Sequence, residues 1–241
     1  MLTKDISLAS TSQILEQQLA FLQLADSFFP SGSYTLSHGL ESLVQANAIS
    51  HAEQLETFVR LLICNKVGST DLIALTHAHR ASSQADMATV CEVDSRLFAQ
   101  TPIAKTRSTQ RQSGRALLMV ASKTWPHEQL DKLNQLTASG DINCLHPVIF
   151  AVVAQVATLN EQATRLAFLH GFVTGVLGAG IRLGVIGHLQ AQQIRLALSK
   201  EMAKVCHQAV DTSLDEMWSC TPLIDLAQMR QAKLSRRLFA S

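Results

Sequence analysis

Apolar residues in this chain recur every three or four positions, and no stretch sustains one-by-one alternation. Leu15, Leu19, Leu22 and Ala25 fall on one helical stripe, which predicts a first helix over about 6–27. Pro30 removes a backbone donor and biases Phe29 away from helical geometry, so that helix should stop there and another begin near 36. Leu55, Phe58, Val59, Leu62 and Ile63 form the next stripe, and Ser50 with Glu53 ahead of it reads as a capping box. Further helices are expected at about 70–82, 85–99 and 103–122, with Pro102 and Trp125-Pro126 as breaks. A short helix at 127–137, a loop at 138–143 and the most apolar helix at 148–159 follow, with Pro147 in a favourable first-turn position and Asn160 capping the next. Hairpin signals are missing. The pattern predicts an all-α, single-domain helical bundle of about ten helices over 1–241, with a flexible segment at about 1–12 and a docking tail at about 228–241.

The stretch Leu166–Gly187 holds six glycines among apolar residues. Arg165, His170 and Arg182 interrupt it, and the uninterrupted run of 171–181 is too short to cross a bilayer. Glycine costs about 1 kcal/mol against alanine inside a helix, so the Gly171/Gly175 and Gly180/Gly184 spacings predict a tightly packed central helix pair.

Composition changes the picture in one respect. Hydrophobic residues make up 47% of the chain and charged ones 16%, so some apolar helix faces are expected to be covered by a partner, first of all in a homodimer. The net charge of +1 argues against general nucleic-acid binding. Five dispersed cysteines without a Cys-x-x-Cys pair, and a start lacking a secretory pattern, lead to the expectation of a cytoplasmic chain with reduced thiols.

Candidate chemistry is sparse. His77 and His79 are two apart and face opposite sides of a helix, while Cys144 and His146 have no second pair to complete a metal site. No phosphate loop, nucleophile triad or paired-carboxylate motif stands out, so an enzyme is not expected. Ser108, Arg111 and Arg115 share a helix face beside Arg107, which suits an acidic partner patch or a phosphate as well as a solvated face. Arg182 lies among apolar residues and needs a carboxylate or carbonyl, with Glu41 and Asp26 as candidates. After Asp225 the chain has no acidic residue, and Arg230, Lys233 and Arg237 continue one stripe beside Arg236, ending in Leu238 and Phe239. A helix C-terminus favours such cations, and a docking peptide needs the same combination.

Several of these landmarks together resemble one family. Phe29-Pro30-Ser31-Gly32-Ser33-Tyr34, then Ser37-His38-Gly39-Leu40-Glu41, is similar to the N-terminal motif of the urease accessory protein UreF family. Arg107–Leu118, the His146-Pro147 helix start, Gly180–Gly187 and the ending Arg236-Arg237-Leu238-Phe239-Ala240-Ser241 extend the resemblance over nearly the whole chain. The family commonly has Leu-Gly-Gln where this chain has Ile186-Gly187-His188, and a second arginine where Ala240 stands. The resemblance implies an all-helical cytoplasmic dimer that serves urease maturation. It implies binding to UreD (UreH in some organisms), recruitment of the GTPase UreG and action on the urease apoprotein. No catalytic residue or permanently bound cofactor is implied, with nickel and GTP acting through the partners. The candidate partner-binding residues are Phe29, Pro30, Gly32, Tyr34, Glu41, Arg107, Arg111, Arg115, Arg182, Arg236, Arg237, Leu238, Phe239 and Ser241. Two other classes stay open: a GTPase-activating regulator acting through an arginine or glutamine, and an unrelated all-α small-ligand binder with a pocket at the Gly-rich helix pair.

Overall fold

A computed structural model describes residues 2–27, 29, 36–231 and 238–239, with side chains in the first helix from Ile14 onward. The described residues form an all-α bundle without strands. Its helices are α1 (Leu2–Ala25), α2 (Leu40–Gln45), α3 (Ala52–Leu62), α4 (Leu72–Ser83), α5 (Met87–Gln100) and α6 (Ala104–Thr124). They continue as α7 (Glu128–Ser139), α8 (His146–Val156), α9 (Glu161–Arg182), α10 (His188–Ala197), α11 (Ser199–Gln208) and α12 (Pro222–Gln231).

The core is built around α8, which lies against α4 and α6. Its residues Pro147 to Ala154 are all buried, as a helix apolar on every side requires. Pro147 stands in the first turn, and Asn160 caps α9 by accepting from the Ala163 amide at 2.8 Å, both as the sequence predicts. The start of α8 is held by neighbours. The buried Asp94 carboxylate accepts the amides of Asn143 (2.7 Å) and Leu145 (2.8 Å), and Cys144 between them takes a left-handed φ of 64°. Gly114 of α6 lies so close that an added Cβ would stand 2.0 Å from the Cys144 carbonyl oxygen, a position only glycine tolerates.

Three expectations are corrected. No capping box forms at Ser50: His51 is the cap of α3, and the Ser50 amide instead donates to Gln54 Oε1 at 2.8 Å. No break separates α3 from α4, because a π-helical segment, Ile63–Asp71, joins them without interruption. The glycine run of α9 is not uniformly a packing seam. Gly180 meets Leu55, whose Cδ2 would be 2.5 Å from an added Cβ, but Gly171 and Gly178 face open space. α9 is long and apolar enough to cross a membrane by composition, yet Ala167, Phe168, Val173, Val176 and Leu177 are buried inside the protein.

The stripe of α1 also turns out differently. Ala20 and Leu24 are buried, in a helix packed on α9, whereas Leu15 (54%), Leu19 (65%) and Leu22 (61%) are exposed.

Candidate functional site

The residues singled out in the sequence separate into two places. The first gathers Glu41, Arg182, Leu238 and Phe239. Gly39, at φ 89°, opens α2 directly against α12, where its missing Cβ leaves Gln228 room to approach. That turn buries Glu41, whose carboxylate accepts the amides of Leu238 (2.6 Å) and Phe239 (3.2 Å) and the Gln231 side-chain amide (3.1 Å). The Phe239 ring is buried under the Arg182 guanidinium, 4.4 Å from its centroid, and Arg182 Nε donates to the Gly178 carbonyl at 3.2 Å. The carbonyl partner expected for Arg182 is therefore supplied one helical turn back. Leu238 points outward and is 73% exposed. The later positions of the basic stripe, Lys233 and Arg237, and with them Arg236 and Ser241, lie outside the described residues. Pro30, Gly32 and Tyr34 also lie outside them, while Phe29 stacks on Trp125 with ring centroids 6.0 Å apart.

Arg182 and Phe29 both border a cavity of about 490 Å³. Gly171 and Gly178 of α9 form part of its wall, which is why a side chain there would meet nothing. Phe150, Phe168 and Phe172 contribute apolar surface, and Lys66 and Asp71 of the π-helical segment, with His38 and His146, contribute polar groups. Burial acts on three of the titratable groups that line this space. It lowers His38 to about 3, with Lys66 and His146 adding to the effect, and lowers His146 to about 4. It raises the Asp71 carboxyl to about 6, opposed by Lys66 and by hydrogen bonds from Gln110 and Thr70. His146 Nε2, Gln110 Oε1 and Thr174 Oγ1 are buried with no hydrogen-bond partner among the described residues. Sequence reading missed Asp71 and Lys66, since neither stands in a motif and the π segment that aims them has no period of its own.

The second place is the outer face of α6. Arg107 donates to the Thr101 carbonyl at 3.1 Å and lies over the Phe98 ring, and Arg111 donates to the Asn143 carbonyl at 3.2 Å. Arg115 is exposed one turn on. These three border one open groove with Ser108 and Gln112.

The two rings of the histidine pair reach different carbonyls: His77 that of Thr212 (3.0 Å) and His79 that of Leu159 (2.9 Å). His77 is half-buried rather than free. Burial raises the Cys144 thiol to about 11, and among the described residues no three His, Cys, Asp or Glu side chains are placed to share a metal ion.

Comparison with known proteins places these features in context. A model of the UreF family matches residues 49–199. The chain is similar to the urease accessory protein UreF of Trichodesmium erythraeum, with 54% identity over 227 residues covering 94% of this chain and 98% of that one. The corresponding proteins of Xanthobacter autotrophicus and a Nostoc species are 32% and 28% identical, over 88% and 92% of this chain and 86% and 95% of theirs.

Proposed function

Since the chain belongs to the urease accessory protein UreF family, we propose that it is a non-catalytic scaffold of urease maturation. In this reading it binds UreD (or UreH) and recruits the GTPase UreG, so that nickel is inserted into the urease apoprotein, with nickel and GTP handled by the partners. It acts as a cytoplasmic homodimer. The membership removes the unrelated ligand binder as a reading.

The observation that carries the proposal is apolar surface left over after the core is complete. Ile14, Leu15, Leu19 and Leu22 are exposed on α1, and Leu223, Leu226 and Met229 are exposed along α12. Contiguous rows of this kind are characteristic of interaction surfaces, because water contact with large apolar side chains is unfavourable by about 25 cal/mol per Å².

Co-purification tests the reading. Tagged protein expressed with UreD and UreG homologues should retain both and restore urease activity to a strain lacking its own UreF. Recovery of the protein alone, with urease left inactive, would overturn the proposal. GTP hydrolysis by the purified GTPase, measured with and without the complex, separates a scaffold from an activator.

A further inference from the structure

The described arginines differ in what they meet. Arg60, Arg80, Arg96 and Arg165 each pair with carboxylates. Arg107, Arg111 and Arg115 form no ion pair among the described residues. They are also concentrated. Helix α6 carries five cationic side chains, Lys105, Arg107, Arg111, Arg115 and Lys123, and no acidic one, in a chain whose net charge is only +1. Like charges one turn apart repel, so the helix gains nothing from this arrangement by itself.

The row is partly pre-set. Phe98 and the Thr101 carbonyl hold Arg107, and the Asn143 carbonyl holds Arg111, each using one part of a guanidinium and leaving other N–H groups to donate. Ordering long side chains in advance reduces the entropy lost on binding. At 1.5 Å rise per residue, positions 107, 111 and 115 span roughly 12 Å along the helix. That is too long for one phosphate held by all three, and it matches carboxylates spaced one turn apart on a facing helix. Nucleic acid is disfavoured as well: Phe98 is the aromatic ring in the groove, and Arg107 already covers its face, leaving no platform for a base.

We propose that the outer face of α6 docks an acidic protein segment, helical and with Asp or Glu at every fourth position, through Arg107, Arg111 and Arg115. The proposal deepens the scaffold reading by naming the chemistry of one partner surface. Ser108 and Gln112, between the arginines, face the same groove and add neutral hydrogen-bonding groups.

The probe is a fluorescein-labelled Ala-rich helical peptide with Glu at every fourth position, and a control peptide with Gln in those places. Fluorescence anisotropy with the full chain at about 50 mM salt should give saturable binding of the Glu peptide that weakens as salt rises, and none of the Gln peptide. Arg115→Glu is the decisive variant, because Arg115 makes no hydrogen bond or ion pair among the described residues and its loss leaves the fold alone. It should weaken binding at least tenfold with an unchanged melting curve. Replacing all three arginines by lysine keeps the charge but removes the forked donors, and should weaken binding severalfold. Equal affinity of Arg115→Glu and the unaltered chain, or equal binding of the two peptides, would overturn the proposal. So would a pyrophosphate or single-stranded RNA that binds the row and displaces the peptide. If Arg115→Glu still restores urease in cells while losing the peptide, the row serves another partner and the scaffold reading stands. If the unaltered chain fails to restore urease, the scaffold reading falls whatever the peptide does.

Discussion

Helices α8 and α1 carry apolar residues of the same kind and end in opposite surroundings. Every residue of α8 from Pro147 to Ala154 is inside, enclosed by α4 and α6, with its entry held by Asp94 and Gly114. Among the described side chains of α1, from Ile14 onward, only Ala20 and Leu24 are buried, and Leu15, Leu19 and Leu22 look outward. The difference teaches that a helical stripe identifies a face that must be covered without identifying the cover. On α8 it is the same chain; on α1 it is, in the reading proposed above, another one.

The largest effect should come from the interior. Ile149 is fully buried, so Ile149→Ala removes its contacts and leaves a void, costing about 2–5 kcal/mol. Thermal unfolding should shift down by roughly 5–15 °C, since about 2–4 °C accompanies each kcal/mol in a chain of this size. A shift below a degree would mean that α8 is not the centre of the fold.

Acidification should act through the cavity beside α8. His146 titrates near its ordinary value of 6.5 when unfolded but only at about 4 when folded, so between these limits the unfolded chain binds more protons. Stability is therefore lost as pH falls through this window, by about 2 kcal/mol at pH 5 for this residue. Asp71 works the other way: its folded carboxyl, raised to about 6, takes up a proton before the unfolded one and offsets part of the loss. His146→Gln should flatten the dependence of melting temperature on pH, and Asp71→Asn should steepen it. Parallel curves for all three proteins would refute the assignment.

A smaller effect is expected at the chain's end. Glu41→Gln retains one acceptor oxygen but loses the charge that holds the Leu238 and Phe239 amides, at a cost of about 1–2 kcal/mol confined to that contact. Hydrogen exchange at those two amides should accelerate while that of α8 is unchanged.

The smallest change in stability belongs to α1. Replacing Leu15, Leu19 and Leu22 together by Ser should move the melting temperature by no more than a few degrees, since exposed substitutions each contribute about 0.5 kcal/mol or less. Capture of the maturation partners should be lost in the same variant. Unfolding of the variant would place these leucines in the core; undiminished capture would place the partner surface elsewhere, on α12 in the first instance.

Much of the architecture was legible from side-chain period alone. The all-α class follows from it, as do the inward faces of α3 and α8, the Asn160 cap and the first-turn proline, because helix formation and capping depend on residues within four positions of one another. The site was legible only in part. Arg107, Arg111 and Arg115 share a face by spacing, but nothing local says that Phe98, Thr101 and Asn143 hold two of them or that the third forms no ion pair among the described residues. Glu41 stands in a recognisable motif, yet its ligands are backbone amides almost two hundred positions away in sequence. The unbroken passage through Ile63–Asp71 and the cavity behind Gly171 and Gly178 have the same origin, as does the outward turn of the α1 leucines. Each was decided by which distant segment packs alongside, a long-range competition for buried area that the period of a single helix does not encode.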